Sequence, residues 1–245
     1  MSATAARNGL ESLPSATQEP LRALALALER AEGPNLAALV VYGSAVRGGY
    51  VPGESDVDVI VVLNDTGLPH LRAVAEPLRL ARFAARVEAM VLKRDNIRAA
   101  CDVFPLLYDD VCQRHVVLSG ADPFLDLDIR DTHRRLRIEQ ELREARIRMR
   151  RAVVDNLGSE AGLAGVVERK VKQIRGPLHA LLALKGTKVD DALDSVLDAT
   201  GRAYGIDTAP LQRVRSAPEA AHTALRAVLD AAVEDVDRLE VGGGR

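Results

Sequence analysis

The chain has 245 residues, 33 basic against 35 acidic, is 47% hydrophobic and 3% aromatic, and contains no tryptophan. A chain of this length can bury a core without staples, and its near-neutral charge speaks against a dedicated nucleic-acid binder, which carries a basic excess. No run of eighteen apolar residues is present, so no membrane span is expected, and Cys101 and Cys112, which form no disulfide or metal pattern, fit a cytoplasmic setting.

Residues 1–19 read as a flexible leader, without the basic segment and apolar core of a secretory signal. Pro20 to Glu32 reads as a helix, with Pro20 in its first turn and Leu21, Leu24 and Leu28 on one face. Gly33-Pro34-Asn35 breaks it. Leu36 to Tyr42 is an apolar, partly β-branched run, expected as a buried strand, and Gly43-Ser44 follows directly. Ala45 to Arg47 opens a short helix that ends at Gly48-Gly49. Asp56 to Leu63 is expected as a second strand, Pro69 to Ala85 as a helix and Val87 to Leu92 as a third strand. Asp95 to Cys101 reads as a short helix, and Phe104 to Val111 as a fourth strand with Pro105 at its beginning or on a sheet edge.

Beyond Asp126 the composition changes. Asp131 to Asp155 contains neither glycine nor proline, and Ile138, Leu142, Ala145, Met149 and Val153 recur at helical spacing. Gly158 to Gly165 reads as a connection. Helices are expected over Val166 to Ala183, with a kink at Gly176-Pro177, over Val189 to Tyr204 and over Ala217 to Leu239. The fold class is therefore α+β: a mixed β-sheet with flanking helices over residues 20–126, then an α-helical bundle over 127–241.

The segment that carries chemistry is Val40-Val41-Tyr42-Gly43-Ser44 followed by Asp56-Val57-Asp58-Val59-Ile60-Val61. In a strand, residues i and i+2 face the same way, so Asp56 and Asp58 project together. Two such carboxylates repel unless a cation lies between them, and hard oxygen ligands suit magnesium. A strand entering a helix through Gly-Ser leaves backbone N–H groups for an anion. Gly43 lets a phosphate approach, Ser44 can cap the helix or bond a phosphate oxygen, and Arg47 lies one turn on. The bland alternative is a plain turn and a polar strand start.

This pattern resembles the signature of the DNA polymerase beta-like nucleotidyltransferases, and Gly43, Ser44, Asp56 and Asp58 fit it residue by residue. The stretch Gly43-Ser44-Ala45-Val46-Arg47-Gly48-Gly49 with Ser55-Asp56-Val57-Asp58 is similar to aminoglycoside adenylyltransferases and minimal bacterial nucleotidyltransferases. The specific motif covers about residues 38 to 63. The resemblance implies a nucleoside triphosphate donor, AMP from ATP as the transferred group, and two Mg2+ ions, one bridging the triphosphate and one activating the acceptor hydroxyl. It also implies a third carboxylate on a neighbouring strand. Glu88 is the leading candidate and Asp109 and Asp110 are its rivals, while Leu107 stands where related sequences carry a glutamate. The acceptor is a small molecule or a protein, and a homodimer is left open.

Two other functions compete. An aminoglycoside acceptor would need an acidic pocket, for which Asp102, Asp109, Asp110, Asp122, Asp126 and Asp128 are the available cluster. A non-catalytic nucleotide-binding or antitoxin-like interaction module would follow if no third carboxylate served. The arginines between Arg130 and Arg151 are interleaved with Glu139, Glu141 and Glu144 and read as a solvated helix face. Lys170, Lys172 and Arg175 read as surface, and the five histidines form no ligand spacing.

Overall fold

The computed structural model describes residues 9–156 and 158–242. The chain divides into two units, residues 1–102 with 107–128, and residues 103–106 with 129–245.

The first unit is built on a four-stranded sheet, β1 (Leu36–Tyr42), β2 (Val57–Leu63), β3 (Val87–Lys93) and β4 (Val116–Gly120), in the order β3-β2-β1-β4. β2 pairs parallel with β3, and β1 pairs antiparallel with both β2 and β4, so the sheet is mixed. The Val-x-Val-x-Val alternation of β2 sets its two faces. Val57, Val59, Val61 and Leu63 join a core with Leu21, Leu24 and Leu28 of α1 (Ser15–Glu32) and Val74 and Ala81 of α3 (Leu68–Ala85). Asp58, Ile60 and Val62 occupy the other parity, and Ile60 and Val62 are fully buried there. α2 (Ser44–Arg47), α4 (Arg94–Ala99) and α5 (Pro105–Gln113) complete the helices between the strands.

Three local expectations are corrected. The fourth strand is not Phe104 to Val111, which forms α5 instead. Pro105 opens that helix, where a missing N–H costs nothing, and the buried Tyr108 and Val111 lie three apart, a helical rather than a strand spacing. The strand beside β1 is Val116–Gly120. Second, α1 begins at Ser15, ahead of Pro20, which lies inside it. Within the expected leader, Leu10 and Leu13 are buried in the sheet core, and the Thr17 hydroxyl donates to the Pro14 carbonyl at 2.8 Å. Residues 1–8 of that leader fall outside the described residues.

The second unit contains α6 (Asp131–Asp155), α7 (Glu160–Leu184), α8 (Leu193–Tyr204), α9 (Ala209–Gln212) and α10 (Pro218–Arg238). Ile138, Leu142, Ala145 and Met149 of α6 enter its core as their spacing requires, against Val171, Ile174 and Leu178 of α7 and Leu225, Val228 and Leu229 of α10. The third correction is the expected connection over Gly158 to Gly165. α7 already begins at Glu160, because Ser159 caps it by accepting the Gly162 N–H at 3.0 Å. α7 then runs on through Gly176 and Pro177. Ser159→Ala is expected to lower the stability of this unit by about 1 kcal/mol, read from the midpoint of denaturant unfolding.

Candidate active site

Register, rather than sequence distance, assembles the site. Asp58 is paired with Tyr42 of β1 on one side and with Glu88 of β3 on the other. Asp56 stands two residues earlier, immediately before β2. Glu88 is therefore the acid that the sheet brings beside Asp58. Asp109 and Asp110 lie on α5 instead: Asp109 accepts from Gln113 Nε2 at 3.3 Å, and Asp110 is ion-paired with Arg47.

The strand-to-helix turn after β1 closes the site on the other flank. Gly43 has φ 74 and ψ −152, and a Cβ there would overlap the Asp58 carboxylate oxygen Oδ2. The Gly43 main chain thus lies against the Asp58 side chain. The Gly43 carbonyl accepts the N–H of Val46 at 3.1 Å and of Arg47 at 3.0 Å, closing the α2 turn that Ser44 begins. The first N–H groups of such a turn have no upstream helical acceptor. Arg47, at the end of α2, is held twice: its guanidinium pairs with Asp110 of α5, and its carbonyl accepts from Nη1 of Arg114, the residue after α5, at 3.3 Å.

The charges act on one another. Burial raises the Asp58 carboxyl above the ordinary aspartate range, Asp56 and Glu88 push it further, and Arg47 opposes them. The Tyr42 phenol is pushed up to about 12, first by burial and then by Asp58, again against Arg47. Asp56, Asp58 and Glu88 thus form one anionic group with Arg47 beside it. Such a group of hard oxygens suits a divalent cation. Among the described residues, however, no three acid, histidine or cysteine side chains converge to enclose an ion. Asp56 accepts from Arg86, and Glu88 pairs with Arg82.

Residues 21–118 match the family model for the nucleotidyltransferase domain. Residues 21–118 form a nucleotidyltransferase domain, of the transferase class that moves nucleotidyl groups. The nucleotidyltransferase domain so placed contains Gly43, Ser44, Arg47, Asp56, Asp58 and Glu88, and the likeness read from the Gly-Ser and Asp-x-Asp motif is upheld. No curated protein is significantly similar in sequence. In fold, the chain is similar to the spectinomycin adenyltransferase AAD(9) of Enterococcus faecialis, solved with ATP and spectinomycin, with a TM-score of 0.56 and 12% identity over 90% of this chain and 99% of that one. A nucleotidyltransferase-like protein from Exiguobacterium sibiricum covers 89% of this chain and 74% of its own at 12% identity, but its TM-score of 0.33 is too low to bear on the argument. Among the described residues no helix is long and apolar enough to cross a membrane.

Three residues around Asp56, Asp58 and Glu88 escaped the sequence reading: Tyr42, Arg82 and Arg86. Tyr42 could have been found as the residue just before Gly43-Ser44. The signal for the arginines was an i,i+4 pair in the last turn of a helix that feeds directly into the strand carrying Glu88.

Proposed function

We propose that the protein moves a nucleoside monophosphate, AMP from ATP, onto a hydroxyl of a small-molecule or protein acceptor with magnesium as cofactor. The observation that carries this reading is the pairing of Asp58 with Glu88 on parallel strands, with Asp56 two residues before and the Gly43 turn against Asp58. Asp56, Asp58 and Glu88 would hold magnesium, two ions in this reading, which when bound neutralise phosphate charge and acidify the acceptor hydroxyl. The chain's own groups do the remainder. The backbone after Gly43, the Ser44 hydroxyl and Arg47 bind and orient the triphosphate. The acceptor oxygen then forms a bond to the α-phosphorus as the bond to pyrophosphate breaks, and Glu88 takes the hydroxyl proton. Cys101 and Cys112, whose spacing makes no disulfide or metal pattern, support a cytoplasmic site of action.

ATP as donor is supported by the fold likeness to an adenyltransferase solved with ATP. The same likeness favours an aminoglycoside-type acceptor as the second reading, since that neighbour was solved with spectinomycin.

Titration calorimetry with ATP, GTP, CTP and UTP, with and without magnesium, tests the donor. Magnesium-dependent binding of ATP is expected, and binding of none of the four would sink the reading. Pyrophosphate release with a panel of hydroxylated acceptors, aminoglycosides included, then separates the two acceptor readings. Glu88→Gln is expected to lower pyrophosphate release by at least about a hundredfold while triphosphate binding persists.

A further inference from the structure

The last turn of α3 places two guanidinium groups on the acids of the site. Arg86 donates its Nε–H to Asp56 Oδ1 at 3.0 Å, and its Nη2 lies in ion-pair contact with the same oxygen at 2.8 Å. Arg82, one turn earlier on the same helix, pairs its Nη2 with Glu88 Oε1. Each arginine thus takes a different carboxylate, and Asp58 adjoins both, two residues after Asp56 and in register with Glu88.

The backbone fixes this arrangement. Arg86 is the C-cap of α3 with φ 53 and ψ 39, a left-handed conformation that arginine rarely adopts. It is held there from both sides: its N–H donates to the Arg82 carbonyl at 2.9 Å, and its own carbonyl accepts the Val57 N–H at 3.1 Å. The second bond ties Arg86 to the first residue of β2, next to Asp56. The side chains are less constrained. Arg86 and Asp56 are 54% and 47% exposed, and Arg82 and Glu88 are 64% and 45% exposed. Pairs so open to water separate at little cost.

We propose that Arg82 and Arg86 form a cation guard that competes with the divalent ion for Asp56 and Glu88, so that the ion enters together with the triphosphate rather than ahead of it. This rests on the reading of Asp56, Asp58 and Glu88 as metal-binding acids. A bare ion entering the site must displace two guanidiniums and then sit beside their positive charge. An ion carried on a triphosphate brings its own negative charge, and the displaced arginines have phosphate oxygens to turn to, a partner that their forked geometry fits. The guard therefore couples ion and nucleotide binding, each favouring the other by the same factor.

Mn2+ binding to the full-length protein, followed by the loss of the free-ion electron paramagnetic resonance signal, tests this with and without a non-hydrolysable ATP analogue. The unaltered protein is expected to bind Mn2+ weakly alone and at least tenfold more tightly with the analogue. Arg82→Gln with Arg86→Gln is expected to bind Mn2+ alone at least threefold more tightly and to gain less from the analogue. Arg82→Lys with Arg86→Lys, which keeps both charges, is expected to retain most of the weakness. Thermal unfolding of each variant verifies its fold, and Arg86→Gln alone carries the test if the double variant fails to fold. If the glutamine variant binds Mn2+ no more tightly than the unaltered protein, while Asp58→Asn in the same background removes that binding, the guard is overturned and the metal site stands. If Asp58→Asn changes Mn2+ binding in neither background, the metal assignment falls and the guard falls with it.

Discussion

Asp58→Asn is expected to lower nucleotidyl transfer by at least about a hundredfold and, at neutral pH, to raise the melting temperature. The two effects share one cause. Asp58 is held in a partly buried position beside Asp56 and Glu88, which places its carboxyl above the ordinary aspartate range. A carboxyl whose value is raised by folding contributes stability only while it is protonated, below the range of the unfolded chain, and loses that contribution as pH rises through its folded value. At neutral pH the ionised Asp58 therefore weighs against the fold, and an uncharged amide of the same shape relieves that weight. The melting-temperature difference between the variant and the unaltered protein should shrink as the pH is lowered toward and below the aspartate range. A second reading is available at Tyr42, whose phenol stands at about 12 partly because Asp58 is charged. In the variant, ultraviolet titration of phenolate absorbance should show one of the four tyrosines ionising at lower pH than before. Lost transfer together with a lower melting temperature would instead mean that Asp58 is a structural residue.

Much of this site could be read from the chain because its chemistry and its strand pattern coincide. Leu36–Tyr42 forms the strand its apolar run implied. Asp58 breaks the apolar alternation of β2 at one place, and the Gly-Ser pair marks the turn. What was hidden depends on pairing. Glu88 is distinguished from Asp109 and Asp110 by the parallel register of β2 with β3, which no single strand's sequence encodes. Arg82 and Arg86 went unread because their partners, Glu88 on β3 and Asp56 just before β2, are brought to them only by the fold. The misread segment, Phe104 to Val111, has apolar content enough for a strand. Its outcome is decided by Pro105 at a helix start and by the burial of Tyr108 and Val111, which only packing reveals. Likewise Leu10 and Leu13 sit among polar and small residues, and nothing local shows that the sheet core takes them. In the helical unit the α6 pattern sufficed, because one long uninterrupted period leaves a single face to bury.

Gly43→Ala is expected to reduce transfer about as severely as Asp58→Asn while destabilising the fold, and the comparison with Gly48→Ala shows why. Both glycines have positive φ, 74 at Gly43 and 103 at Gly48, so alanine is strained at either one by about 1–3 kcal/mol. They differ in what surrounds the added methyl. At Gly48 nothing lies within 4 Å, whereas at Gly43 the Cβ overlaps the Asp58 carboxylate. The carboxylate can turn only about the Asp58 Cβ, which itself lies 3.3 Å from the added methyl and is fixed because its strand is paired with β1 on one side and β3 on the other. Denaturant unfolding should therefore find Gly43→Ala less stable than Gly48→Ala, with the excess arising from the overlap. Combining Gly43→Ala with Asp58→Ala removes the obstructing carboxylate. The stability cost of the glycine change in that background should then fall toward that of Gly48→Ala, a coupling that a double-mutant cycle measures. Equal costs for Gly43→Ala with and without Asp58 would show that the two residues do not touch, and the close packing of the Gly43 turn on Asp58 would have to be abandoned.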